Sequence, residues 1–247
     1  MGIVPAHRRT VPISPVLRGP FKLRFRRAVA MHVFRIFTAL CGAVVAGAFH
    51  AAPASAHPHV FAEARLELSI NPDGTVKSLR HVWRFDDFFS STVLIQFDKN
   101  KDLKLEKPEL EALAKTVHDS LADYNYFQLV TQNGKDVAMQ APDHMIADFK
   151  DNRFLLLFET HPKEPLKLSG RIDFGIYDPT FYTAIDFHSD ADIVVDGLPA
   201  NCTKKVIRPD PDQAIAQNQK TLTDAFFNDP TDLSKIFATK LELTCKP

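Results

Sequence analysis

A twelve-residue segment in the first half of this chain dictates what must flank it. Residues 98–109 (DKNKDLKLEKPE) place oxygen-bearing side chains at positions 1, 3, 5, 9 and 12, from Asp98, Asn100, Asp102, Glu106 and Glu109, with aliphatic Leu105 at position 8. This is the spacing of an EF-hand calcium loop, in which one tight turn of chain offers six to eight oxygens to a hard cation. Position 7, Lys104, contributes through its backbone carbonyl, and Glu109 closes the shell with both oxygens. Such a loop is entered and left by helices. The entering helix is expected over residues 86–97 (DDFFSSTVLIQF) and the exiting one over 108–123 (PELEALAKTVHDSLAD), with Leu110, Leu113, Ala114, Val117 and Leu121 along one face. Pro108 falls in the first turn, where its missing N–H costs nothing.

Two features work against cation binding. Leu103 stands at position 6, where the sharp turn normally takes glycine. Lys99, Lys101, Lys104 and Lys107 offset the four carboxylates, so the loop has no net formal charge. The residues predict a weak structural calcium site, on the scale of extracellular modules at about 10⁻⁴–10⁻³ M. The alternative is a polar helix–loop–helix that binds nothing.

Around this insert the pattern is that of short strands. Residues 60–70 (VFAEARLELSI) and 75–85 (TVKSLRHVWRF) alternate about an Asn71-Pro-Asp-Gly74 turn and predict a hairpin. Strands are expected at 127–132 and 135–140 about Asn133-Gly134, and at 145–150 and 153–160 about Asp151-Asn152. Further strands are expected at 166–177, 181–188 and 193–195, with Asp178-Pro-Thr180 as a turn. Helices are expected at 212–227 and 232–237, before a strand at 240–244. The fold class is α+β with β dominant: an antiparallel sheet or sandwich with an inserted EF-hand-like helix–loop–helix and C-terminal helices.

Composition splits the chain. Residues 1–56 hold eight Lys/Arg and no Asp/Glu, an apolar run of 14 residues at 36–49 (IFTALCGAVVAGAF), and the small-x-small site Ala54-Ser55-Ala56. That run is short for a bilayer span and reads as a signal peptide cleaved after Ala56. Met31 begins a signal of ordinary length by itself, so residues 1–30 read as an upstream mis-start. Residues 57–247 then carry 22 Lys/Arg against 30 Asp/Glu, a net charge of −8. An acidic exported protein is a poor partner for nucleic acid and a better one for cations. The expected layout is a β-rich domain over 57–200 and a helical segment over 201–247. Cleavage leaves two cysteines, Cys202 and Cys245, which an oxidising compartment would join. Thiolate metal ligation is the rival reading.

The new amino end would be His57-Pro58-His59. An α-amine and an imidazole on one residue form a bidentate grip suited to zinc, nickel, cobalt or copper. Pro58 has no N–H to lose, which rules out the square-planar terminal motif built on the second residue's amide. His59 or a distant histidine completes the shell. His81 and His188 fall on strand-like segments as further candidate ligands, whereas His118, His144 and His161 read as ordinary residues. Asp86-Asp87 reads first as a helix N-cap, and Tyr177-Asp178-Pro-Thr as turn chemistry. No catalytic motif emerges, so an enzyme is not expected.

The ordered pieces His57-Pro58-His59-Val-Phe, Val82-Trp83-Arg-Phe85-Asp86-Asp87-Phe-Phe-Ser, the acidic loop, Tyr177-Asp178-Pro179-Thr-Phe-Tyr182, Cys202 and Cys245 together resemble the domain of unknown function 1007 family. The resemblance covers essentially all of residues 57–247. It implies an exported periplasmic component of an ABC-type transport system, associated with nickel/cobalt or zinc permeases of the membrane. The family's loop usually has glycine where this chain has Leu103. The combined reading is a periplasmic metal-binding accessory or chaperone protein, at most peripheral to the membrane, that serves a metal permease through His57 and His59. The alternative is a non-catalytic structural module that binds calcium only.

Overall fold

A computed structural model describes residues 58–219 and 234–246. The expected signal peptide, His57 and residues 220–227 of the expected 212–227 helix lie outside the described residues. The strands in chain order are β1 (Val60–Ile70), β2 (Val76–Phe85), β3 (Gln128–Gln132), β4 (Lys135–Asp136), β5 (Met145–Lys150) and β6 (Arg153–Thr160). They continue with β7 (Gly170–Ile176), β8 (Thr183–Asp186), β9 (Ile193–Asp196), β10 (Cys202–Ile207) and β11 (Lys240–Cys245). The α-helices are α1 (Asp87–Phe97), α2 (Lys107–Leu121) and α3 (Pro211–Gln217). Among the described residues, no helix is long and apolar enough to cross a membrane.

β1 and β2 form the predicted hairpin, paired from Ala62↔Phe85 to Ile70↔Val76. Alternation, broken once where Ser78 and Leu79 are both buried beside a register shift, sends Leu66, Leu68, Leu79 and Trp83 into the core and leaves charges outside, where they pair across the strands. Arg84 lies 2.6 Å from Glu63, and Arg80 lies 3.2 Å from Glu67. The turn closes through Gly74, whose φ of 77° is in the left-handed region that a side chain would resist.

The first sheet runs β5-β6-β2-β1-β8, with β9 also on β1. β8 follows Val60–Glu63 and β9 follows Leu66–Ser69, both parallel to β1. The sheet is therefore mixed, not purely antiparallel. Alternation reports which face of a strand is buried, not which way its neighbour runs.

The second sheet is antiparallel in the order β10-β11-β7-β3-β4. Both sheets feed one continuous core, with Leu66, Trp83, Phe154 and Leu156 from the first and Ile172, Phe174, Leu241 and Leu243 from the second. A buried hydrogen bond spans the two: Thr160 Oγ1 donates to Gln128 Oε1 at 2.5 Å. The segment 201–247, expected as chiefly helical, supplies two paired strands to this sheet. β10 escapes a pattern search because Thr203, Lys204 and Lys205 are exposed in a row. Cys202 and Cys245 sit opposite each other in the β10–β11 register and are joined as a disulfide. In the chain-entropy picture a loop of that length stabilises by about 3–4 kcal/mol.

Candidate functional site

The loop of residues 98–109 hangs between two helices that the sequence anchors at their starts. Asp86 caps α1, accepting from the Phe89 N–H at 2.9 Å through Oδ1. Its other oxygen accepts from the Phe61 N–H at 2.9 Å, which ties the helix start to β1. Asp87 pairs with Arg153 at 2.9 Å. Ser90, buried on the inner face of α1, accepts from the Phe154 N–H at 2.9 Å and so fixes the helix against β6. The Asp86-Asp87 doublet is thus capping and docking chemistry, as its position predicts.

The structure brings the loop's oxygen-bearing residues together around their own backbone. Asp98 accepts from the N–H groups of Lys101 at 2.6 Å, Asp102 at 3.3 Å and Leu103 at 2.8 Å. Asn100 accepts from the Asp102 N–H at 3.0 Å, and Asp102 from the Lys104 N–H at 2.9 Å. Glu109 straddles the loop, accepting from the Lys99 N–H at 2.7 Å and the Glu106 N–H at 3.0 Å. Asn100 also donates to Glu106 at 3.4 Å. Asp98 and Glu109 are only 8% and 6% exposed. Two carboxylates so placed need partners, and these amides are the partners.

Titration follows from the same contacts. The N–H groups of Lys99 and Glu106 hold the Glu109 carboxyl below the usual carboxylate range. Glu106 is pushed the other way, mainly by its side-chain contact with Glu109 and then by burial and Asp102. One carboxylate is kept charged while its neighbour is crowded by negative charge.

The backbone makes two left-handed turns in the loop, at Lys101 and at Leu103, each with φ of 63°. Leu103 therefore adopts the conformation for which position 6 normally carries glycine, at a cost of about 1–2 kcal/mol for a side-chain-bearing residue. Its side chain points to solvent, 71% exposed. All the donors are oxygen, which suits a hard cation. Asp98 spends three of a carboxylate's roughly four lone-pair sites on amides. Among the described residues, no three His, Cys, Asp or Glu side chains converge in a metal-holding group. The turns fit the calcium spacing, while the carboxylates aim at amides instead of a common centre.

His59 lies elsewhere. The His59 and Val60 N–H groups both donate to the Tyr182 carbonyl, at 2.9 and 3.2 Å, and the His59 ring lies 5.0 Å from the Tyr182 ring. The structure thus places His59 against the Tyr177–Tyr182 segment. His118 Nε2 lies 2.9 Å from the Pro142 carbonyl, and His161 Nδ1 lies 2.9 Å from the Lys77 carbonyl. His188 is exposed beside Arg208 at the rim of a charged cleft.

The family model described as "Protein of unknown function (DUF1007)" matches residues 42–245. The chain belongs to this family. A Haemophilus influenzae relative, named "Uncharacterized protein", is 24% identical over 194 residues, covering 77% of this chain and 92% of the relative.

Within the DUF1007 match, two buried polar residues stand out: the sealing of His81 is what the residue pattern did not reveal, and the turn at Asp178 is what it did. His81 is fully buried, stacked on Phe158 with ring centroids 4.5 Å apart. Neither ring nitrogen has a partner among the described residues. Burial pushes its pKa down to about 3, so the imidazole is neutral. Its place on the inward face of β2, between Leu79 and Trp83, was the available signal. The second feature is Asp178, also buried, which accepts from Thr180 N–H and Oγ1–H, both at 2.7 Å, and from the Thr183 N–H at 2.8 Å. This is the expected turn chemistry, and it shapes the start of β8 beside β1.

Proposed function

We propose that this DUF1007 protein is an exported, periplasmic metal-binding accessory protein whose 98–109 loop holds calcium as a structural staple. The observation that carries the reading is the loop's backbone. Left-handed turns stand at positions 4 and 6, and three consecutive amides, of Lys101, Asp102 and Leu103, are gathered on Asp98. Asp98, Asn100, Asp102, the Lys104 carbonyl, Glu106 and Glu109 would hold the cation, which supplies charge neutralisation to a crowded set of carboxylates. In the same proposal, the amine and imidazole of His57, with His59, take a transition metal (zinc, nickel, cobalt or copper) for a membrane permease. The acidic balance of residues 57–247 supports a cationic cargo.

The test is calorimetry and thermal melting of the protein purified from the periplasm with its native amino end. Calcium at about 10 mM is expected to stabilise the fold by roughly 1.4–2.7 kcal/mol for a dissociation constant of 10⁻³ to 10⁻⁴ M. Glu109→Gln is expected to abolish that gain. Elemental analysis is expected to find a transition metal that His57→Ala removes. Calcium stabilisation without such a metal leaves the calcium-only module. A melting curve indifferent to calcium overturns the staple.

A further inference from the structure

The large apolar side chains that stand furthest out of the described surface all belong to α1 and the loop after it. Phe88 is 80% exposed, Ile95 75% and Leu103 71%. α1 turns Phe88, Ser91, Thr92, Ile95 and Gln96 to solvent, the spacing of a single helix face. Nothing on that face is charged, although a water-facing helix normally carries its charges there. Its two hydroxyls are satisfied within the helix: Ser91 Oγ–H donates to the Asp87 carbonyl at 2.7 Å, and Thr92 Oγ1–H to the Phe88 carbonyl at 3.0 Å. Apart from the Gln96 amide, the face gives up almost no hydrogen bonding when it leaves water.

Leu103 adds a second sign. Its backbone is held in the left-handed region, yet most of its side chain stands in solvent and gives the fold little packing in return. Strain that the fold does not use is a pointer to function outside it.

The neighbouring charges decide the occupant. Asp98 and Glu109 are buried on loop amides, which leaves Lys99, Lys101, Lys104 and Lys107 exposed against Asp102 and Glu106. The loop thus presents four positive charges and two negative ones to solvent, on a chain whose residues 57–247 carry −8. Among the described residues, only Lys107 of the four has an ion pair, with Glu111 at 3.8 Å. A protein partner is met by directional polar groups and matching shape, whereas this face is convex and offers only Gln96. Protruding apolar side chains beside unpaired lysines suit a fluid anionic bilayer. The apolar groups enter the boundary between headgroups and acyl chains, and each lysine gains from the negative surface potential.

We propose that the α1 face of Phe88, Thr92 and Ile95, together with Leu103, docks on an anionic lipid bilayer, with Lys99, Lys101, Lys104 and Lys107 meeting its headgroups. The acidic balance of the rest of the chain then orients the protein, because an anionic surface repels its other sides. The inference does not rest on the metal readings above, and chelator in the test keeps them apart.

The test is co-sedimentation of the protein, with its native amino end, on sucrose-loaded vesicles of equal parts phosphatidylglycerol and phosphatidylcholine. Chelator is present, at about 50 mM salt so that screening is modest. The protein is expected to bind these vesicles and to bind pure phosphatidylcholine at least about tenfold more weakly. Phe88→Ser combined with Ile95→Ser is expected to weaken binding by about tenfold or more, with circular dichroism and melting checked against wild type. Lys99→Gln, Lys101→Gln and Lys104→Gln together are expected to bring the two vesicle types within about twofold of each other. Ile146→Ser, at an exposed position on β5, leaves binding unchanged. The proposal is overturned if wild type ignores the phosphatidylglycerol vesicles, binds both lipids alike, or is matched by a folded serine pair. Binding to native membrane vesicles but to no protein-free lipid identifies a protein partner and overturns it as well.

Discussion

The 98–109 loop and the interior around Trp83 and His81 handle polar atoms in opposite ways. In the loop, carboxylates and amides lie within a few residues of one another, and the loop's backbone amides are spent on its own side chains. In the interior, an indole N–H and an imidazole are sealed among aromatic rings with no partner among the described residues. The loop's shape is set by local hydrogen bonding and is tuned by charge. The interior's shape is set by packing of distant strands, and its polar atoms are carried at a cost.

Three substitutions probe that contrast, from strongest to weakest. Trp83→Ala empties the centre of the aromatic cluster and is expected to lower unfolding stability by about 3–5 kcal/mol in denaturant titration. A loss under 1 kcal/mol would mean the interior is not fixed by packing. His81→Phe addresses the sealed imidazole. Its folded pKa of about 3 lies below the ordinary histidine value of 6.5, so below pH 6.5 the unfolded chain takes up a proton that the folded one refuses. The stability this group contributes is complete above pH 6.5 and falls towards pH 3, by about 1.4 kcal/mol per pH unit. The variant is expected to lack this component. Matching pH–stability curves for the two proteins would refute it.

Leu103→Gly tests the loop. Relief of the left-handed strain is offset by the greater freedom of the unfolded glycine chain, so a net gain of about 0.5–1 kcal/mol is expected in calcium-free melting. Calcium affinity should rise with it. A destabilised variant would show that the leucine side chain contributes packing that its exposure conceals.

What the sequence discloses follows the same divide. The β5–β6 hairpin reads to the residue, because Asp151 and Asn152 are types that tolerate the positive φ of 53° and 59° found there. The EF-hand spacing predicts both flanking helices and the turn at Leu103, all local properties. It does not predict where the carboxylates aim, because that depends on competition between amides and an ion for the same lone pairs. The parallel seating of β8 and β9 on β1 leaves no mark on alternation. The apolar cavity that Trp83 and Asp178 both line is still less legible. Trp83 and Asp178 are about a hundred residues apart, and no spacing rule links them until the sheet brings them together.

The carbonyl of Tyr182 receives both the His59 and Val60 amides, and its ring lies 5.0 Å from the His59 ring. One residue on, Thr183 pairs with Val60 as β8 joins β1. The opening strand of the fold is thus fastened at its outset by a segment that the chain supplies only much later, so β1 cannot finish seating until residues 177–186 have arrived.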